Sequence, residues 1–146
     1  MNIHQISRLS GITENNINIL ISRHAMTPQG ATRQGRRRDF TPADAFRFIV
    51  AGTLIRAGIQ NDRVAELTSF VDAVDDATGE PAQVFYDRAA LEKKGKPVYL
   101  VLPVEEGDHQ FAPAKLLHLA LRQAGQACIV VNASAVAFKI DAELAL

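Results

Sequence analysis

The chain has 146 residues, of which 47% are apolar and 22% charged, with 16 basic and 16 acidic side chains. This globular composition excludes a disordered or low-complexity chain, and no apolar run approaches the roughly 20 residues of a transmembrane helix. The zero net charge hides an asymmetry: residues 1–63 carry nine arginines and four acids, a net +5, whereas residues 64–146 carry −5. Unless the clustering is due to chance, it favours a polyanion-binding N-terminal module beside an acidic region.

Two short helices joined by a tight turn are predicted at the N-terminus. Asn2 and Gln5 are placed as a cap and its reciprocal partner, Gly11 ends the first helix, and Thr13 is a good N-cap for the second. The apolar positions recur at spacings of three and four residues: Ile3, Ile6 and Leu9 in the first helix, and Ile17, Leu20 and Ile21 in the second. This pattern is typical of a helix-turn-helix.

An arginine-rich stretch and a well-capped third helix follow. Residues 27–40 offer almost nothing to bury, so they predict a surface loop or hairpin; their arginines are Arg33, Arg36, Arg37 and Arg38. Thr41 as N-cap, Pro42 at N1 and Asp44 at N3 predict a helix that Gly58 ends. A fourth helix is predicted over 62–77, with a heptad seam at Val64, Leu67, Val71 and Val74. That seam is too short for an independent coiled coil.

The C-terminal part changes to an alternation of strands and helices. Residues 98–102 and 127–131 are short apolar runs typical of buried strands, and 113–124 between them predicts a helix. This order indicates a βαβ unit with a right-handed crossover. Residues 84–86 could add an edge strand, and 133–145 a last helix. The predicted fold class is α+β: a helical winged helix-turn-helix domain over 1–77, then a small α/β domain over 80–146.

Three segments together resemble the winged helix-turn-helix domain of the MerR family. Residues 3–13 (IHQISRLSGIT) are similar to its opening helix and turn, 38–44 (RDFTPAD) to its wing and the next helix start, and 56–59 (RAGI) to its turn into the fourth helix. The resemblance covers about half of the chain. It implies a recognition helix at about 13–24 in the major groove and a wing at 31–40 on the phosphates.

Two departures limit what the resemblance carries over. Residues 18–21 are Asn-Ile-Leu-Ile, where the family's recognition helix usually has Arg-Tyr-Tyr-Glu, so the tyrosine contacts do not apply. The family's long dimerisation helix is replaced here by the strand-and-helix region. The resemblance therefore does not imply the family's mechanism of activation, in which the promoter DNA is untwisted.

The predicted DNA-binding residues divide by chemistry. The guanidinium group of arginine can grip a phosphate with two hydrogen bonds, although a basic loop that is merely solvated is the alternative interpretation. The amide of asparagine can bond to the edge of adenine, although capping of the helix N-terminus is the alternative for the asparagines. The candidates are Thr13, Asn15, Asn16, Asn18, Arg23, Arg33, Arg36, Arg37 and Arg38.

Enzyme and metal signals are weak. The loop with Glu105, Glu106, Asp108 and His109 could ligate a metal in principle, but an exposed acidic loop is the favoured interpretation. Cys128, the single cysteine, lies in an apolar run and is expected to be a core residue. We expect no catalytic residues, no metal and no cofactor.

The sequence therefore predicts a cytoplasmic transcription regulator that binds double-stranded DNA and forms a homodimer through residues 80–146, with no membrane partner. Two alternatives stay open. One is a phage-type architectural DNA-binding protein, such as an excisionase or packaging subunit. The other is a C-terminal module that binds a small molecule or a protein, with the N-terminal helices as an adaptor. Whether a small-molecule effector exists is left open.

Overall fold

The computed structural model describes residues 1–29, 38–69, 97–105 and 108–145. The N-terminal part holds four helices: α1 (Ile3–Ser10), α2 (Glu14–Arg23), α3 (Pro42–Arg56) and α4 (Asn61–Leu67). The C-terminal part holds β1 (Val98–Pro103), β2 (Gln110–Pro113), a 3-10 turn (Ala114–Leu116), α5 (Leu117–Gln123), β3 (Cys128–Asn132) and α6 (Ala133–Leu144). The predicted α+β class is confirmed at this level. In the described part of the chain, no helix is long and apolar enough to cross a membrane.

Local hydrogen bonds fix the ends of the first two helices as predicted. The side chain of Asn2 accepts from the Gln5 N–H at 3.0 Å, and the Gln5 side chain accepts from the Asn2 N–H at 2.9 Å. Gly11 ends α1 with a left-handed φ of 72°. Thr13 begins α2 by accepting from the Asn16 N–H at 3.3 Å. The helices and turn of the prediction are thus confirmed, while a winged arrangement depends on residues 30–37, which lie outside the described residues.

Helix α3 runs through the middle of the N-terminal part, and all of its residues from 43 to 52 are buried. Its predicted start is confirmed, because Thr41 and Asp44 form a capping box. At Gly52, a Cβ would lie 2.1 Å from the carbonyl oxygen of Ser10 at the end of α1. Glycine is therefore what allows α3 to approach the end of α1 this closely.

The three strands form an antiparallel sheet in the order β2-β1-β3, which corrects the predicted βαβ unit of two neighbouring parallel strands. The cause is β2, which the sequence prediction missed. It is only four residues long and ends at Pro113, which was read as a helix start. Because β2 reverses the chain, α5 connects β2 to β3, and these run in the same direction on either side of β1.

The two faces of the sheet bury different partners. On one face, Val101 and Ala112 pack against Ala120 and Ala124, with the latter pair in or next to α5. On the other face, buried side chains of β1, β3 and α6 join those of α1 to α4 in one cluster. Segments predicted as separate domains thus share a hydrophobic core. The C-terminal members of that core are Leu100, Leu102, Val131, Ala133, Val136, Ala137 and Ile140.

The fourth helix was predicted over 62–77, but α4 ends at Leu67. Thr68 and Ser69, the last residues described before the gap, therefore do not continue it. The hydroxyl and the N–H of Thr68 both donate to the Val64 carbonyl, at 2.8 and 3.0 Å, so a side chain competes for a helical acceptor. The remaining positions of the seam, Val71 and Val74, lie outside the described residues, as do the predicted edge strand 84–86 and the domain boundary.

Candidate nucleic-acid interface

The exposed side chains of α2 are polar. Ile17 and Leu20 are buried in the core, and the helical spacing places the solvent-exposed residues on the other side, where the partly buried Ile19 lies between Asn15 and Arg23. We refer to these exposed residues as the α2 outer face: Asn15, Asn18, Ser22 and Arg23. The prediction had placed Asn15 and Asn18 on a polar side but had missed Ser22, whose spacing of four from Asn18 was a usable signal. Thr13, at the N-cap, is also exposed.

The turn before α2 is held by bonds from both sides. Arg56 at the end of α3 donates from Nη1 to the Ser10 carbonyl oxygen at 2.8 Å. Within the turn, the Ser7 hydroxyl donates to the Ile12 carbonyl oxygen at 2.7 Å, and the Ile12 N–H donates to the Ser10 hydroxyl at 3.1 Å. These bonds fix the direction in which α2 leaves the turn. This contact of Arg56 was not predictable from local sequence, because Ser10 lies 46 residues away in the chain.

The three asparagines of α2 have different surroundings. Asn16 accepts through Oδ1 from the Asn61 amide of α4 at 3.1 Å, and Asn18 accepts through Oδ1 from Arg38 at 3.1 Å. Among the described residues, Asn15 has no side-chain partner. Of the three, Asn15 is therefore the one whose amide offers both its donor and its acceptor to a ligand.

Arg38 lies beside α2 because the chain is anchored two residues later. The Met1 nitrogen donates to the Phe40 carbonyl oxygen at 2.8 Å, and the Phe40 N–H donates to the Met1 carbonyl oxygen at 2.7 Å. This pair of bonds brings residue 38 next to the start of α1. A pocket of about 230 Å³ opens there, lined by Asn2, Ile3, His4, Asn18 and Arg38.

One acidic residue beside this surface has a partner on another helix. Glu14, the first residue of α2, bonds to Nδ1 of His4 on α1. The pair ties the start of α2 to α1.

Asp44 holds both ends of the arginine-rich segment. Its Oδ1 accepts from the Gln29 N–H at 2.8 Å, and its Oδ2 accepts from the Thr41 N–H at 2.7 Å. Asp44 is 2% exposed, so these bonds are shielded from water. Both flanks of the predicted wing are thus fixed to the start of α3. Arg33, Arg36 and Arg37, predicted to contact phosphate, lie outside the described residues.

The acidic loop after β1 is attached to α4. Arg63 donates to the Val104 carbonyl oxygen at 2.9 Å and also to the carbonyl oxygen of Glu105. Desolvation by burial lowers the pKa of His109, and the charge of Asp108 opposes this shift. Among the described residues, no group of three or more His, Cys, Asp or Glu side chains could hold a metal ion. Glu106 lies outside the described residues.

Comparisons with known proteins add no relative: no protein-family model matches this chain, and no curated protein matches it significantly.

Proposed function

We propose that this chain is a sequence-specific duplex-DNA-binding protein that regulates transcription, with α2 lying in the major groove. The observation that carries the proposal is the α2 outer face. Its exposed side chains are polar, it follows a tight, hydrogen-bonded turn, and it exposes the amide of Asn15, which has no partner among the described residues. A recognition helix needs such side chains near its N-terminus, because those residues reach the base edges.

Charge supports the same proposal. Residues 1–63 have a net charge of +5, which favours a polyanion as the partner. Arg23 is exposed at the end of α2, and Arg38 lies at its side, so both flanks of the helix carry a cation toward the phosphates. Arg33, Arg36 and Arg37 are proposed as further phosphate contacts from the sequence alone.

Selection of bound fragments from random duplex DNA, followed by titration at several salt concentrations, tests the proposal. The full-length protein should select a defined motif, and log Kd should change with log salt by about 0.9 per phosphate neutralised. Replacing Arg36, Arg37 and Arg38 together with Ala should weaken all sequences alike and flatten this slope. The control variants Lys115→Ala and Arg122→Ala carry their changes in exposed cations of the C-terminal part.

Substitutions on α2 separate sequence choice from overall affinity. Asn15→Ala should relax the preference at one base pair by about 1–3 kcal/mol while leaving the salt slope unchanged. Selection of no motif by the wild-type protein would contradict sequence-specific binding. An architectural protein would instead bind with weak sequence preference, and an adaptor module would not bind duplex DNA at all.

We further propose a homodimer formed through the C-terminal part. One route in the sequence prediction is packing of the last helix. Ala133, Val136, Ala137 and Ile140 of α6 are buried within their own chain, which leaves Phe138 and Leu144 as its exposed apolar side chains. The other route, strand addition, is supported by β3, an edge strand of the described sheet with Val130 41% exposed and no charged residue.

Light scattering should give a dimer, and Val130→Lys should yield monomers. A monomeric wild-type protein would contradict this.

A further inference from the structure

The pocket beside α2 is formed where three separated parts of the chain meet. Asn2, Ile3 and His4 come from the start of α1, Asn18 from α2, and Arg38 from the segment anchored by Met1 and Phe40. The volume of about 230 Å³ is below the usual 300–1,000 Å³ of a drug-sized site. The ligand is therefore a small group or one part of a larger molecule.

The polar atoms of the pocket that are not already bonded are mainly donors. Arginine can only donate, so its bond to Asn18 occupies Oδ1 and leaves the Asn18 amide nitrogen as the available group. His4 uses Nδ1 for Glu14, which leaves Nε2 as its unbonded ring nitrogen. The Asn2 oxygen is already used by the Gln5 N–H. No acidic side chain lines the pocket.

We infer that this pocket binds a phosphate group through the Arg38 guanidinium and the Asn18 amide, with His4 beside them. Donors on separate side chains suit a group rich in acceptor oxygens, and the apolar side chain of Ile3 offers a surface for an attached sugar. The inference rests on the proposed function for the source of the phosphate. An α-helix with its side chains is about 10–12 Å across and fills the major groove, so its flank meets a strand backbone. The ligand is then a backbone phosphate of the duplex that α2 binds.

NMR of the full-length protein tests the pocket without DNA. Inorganic phosphate, added in place of chloride at constant ionic strength, should shift the side-chain resonances of His4, Asn18 and Arg38. The ring resonances of His118, exposed on α5, serve as the control and should stay in place. Equal shifts at His118, or none at His4 and Arg38, would overturn the inference.

Binding assays then identify the source of the phosphate. With blunt duplexes that carry 5′-hydroxyl ends, Arg38→Ala should raise Kd about tenfold and lower the salt slope by about 0.9, and Arg38→Lys should recover the slope but only part of the affinity. His4→Gln should also raise Kd, whereas His118→Gln and Arg122→Ala should not. Thermal unfolding of each variant checks that the fold is intact.

The outcomes for pocket and function are distinguishable. Should the wild-type protein bind no duplex while inorganic phosphate still shifts His4 and Arg38, the proposed function fails and the phosphate pocket stands. Binding that requires a 5′-phosphate end would support the pocket but assign it to a terminal phosphate. Normal duplex binding by Arg38→Ala and His4→Gln, with unchanged salt slopes, would overturn the pocket as a DNA contact and leave the proposed function in place.

Discussion

The N-terminal helices and the C-terminal sheet share a core but present opposite kinds of surface. Every large apolar side chain that is exposed in the described part of the chain belongs to the C-terminal part: Leu116, Leu119, Leu121, Val130, Phe138 and Leu144. In residues 1–29 and 38–69 the exposed residues are polar or small, and several polar side chains are paired across elements, as Asn16 is with Asn61. The difference favours a polar partner for the first region and an apolar partner for the second.

The cause of this difference lies in how completely each region is covered. Helix α3 is enclosed by its neighbours, so the N-terminal part has a filled core, and no large apolar side chain of its described residues is exposed. Helix α5 is short, and it packs on β1 and β2. On the same sheet face, Val130 of β3 stays 41% exposed. The two regions therefore share a hydrophobic core and differ in their surfaces, and each substitution below tests a part of that statement.

The largest expected effect comes from removing a side chain that joins the regions. Ile140 of α6 is fully buried in the cluster that includes side chains of α1 and α3. Ile140→Ala should lower the free energy of unfolding by about 2–5 kcal/mol. Denaturant unfolding followed separately in the helices and in the sheet should show both melting together. Helices that melt at the wild-type midpoint while the sheet is destabilised would contradict the shared core.

Phe138, on the same helix, gives the matched control. It is 64% exposed, so Phe138→Ala should change stability by no more than about 0.5 kcal/mol. A large loss would mean that this side chain is covered in solution, for example by a second copy.

A smaller loss is expected where α3 meets the end of α1. In Gly52→Ala the new Cβ would lie 2.1 Å from the Ser10 carbonyl oxygen, so α1 or α3 must shift, at a cost of about 1–3 kcal/mol. Because Ser10 precedes the turn into α2, DNA affinity should fall as well. Gly125→Ala, with a φ of 83° and open space around it, should cost about 1 kcal/mol and leave DNA binding unchanged.

Asp44 tests whether fixed flanks of the arginine-rich segment matter. Asp44→Ala removes the acceptors of the Gln29 and Thr41 N–H groups and should cost about 1–2 kcal/mol. Asp44→Asn keeps a carbonyl oxygen and should lose less. If the flanks position the arginines, both variants should weaken DNA binding in the same order. Equal DNA affinities of the two variants and the wild type would show that Asp44 caps α3 but does not position the arginines for DNA.

The sequence predicted what depends on neighbouring residues and missed what depends on distant ones. Caps such as Asn2, Thr13 and Thr41 were predictable because their partners lie three residues away. Strand β2 was missed because four residues carry little periodicity and their strand character comes from pairing with β1. The different surroundings of Asn16 and Asn18 were also out of reach, since their partners lie 45 and 20 residues away in the chain.

The smallest expected effect is a pH dependence that belongs to the C-terminal part alone. His109 is half-buried beside the ring of Phe111, with the ring centroids 6.1 Å apart, and burial lowers its pKa from the ordinary 6.5, against the opposing charge of Asp108. The unfolded chain then binds a proton more readily than the folded chain, so acidification from about pH 7 through the ordinary pKa should lower the free energy of unfolding. His109→Gln cannot bind this proton, and its stability should decline less over the same range. Chemical denaturation of both proteins at matched pH values measures the difference.

A parallel decline of stability in the two proteins would show that His109 is hydrated in solution. A variant that also changed DNA binding with pH would show that the loop acts on α2 through α4, and the two surfaces would then not be independent.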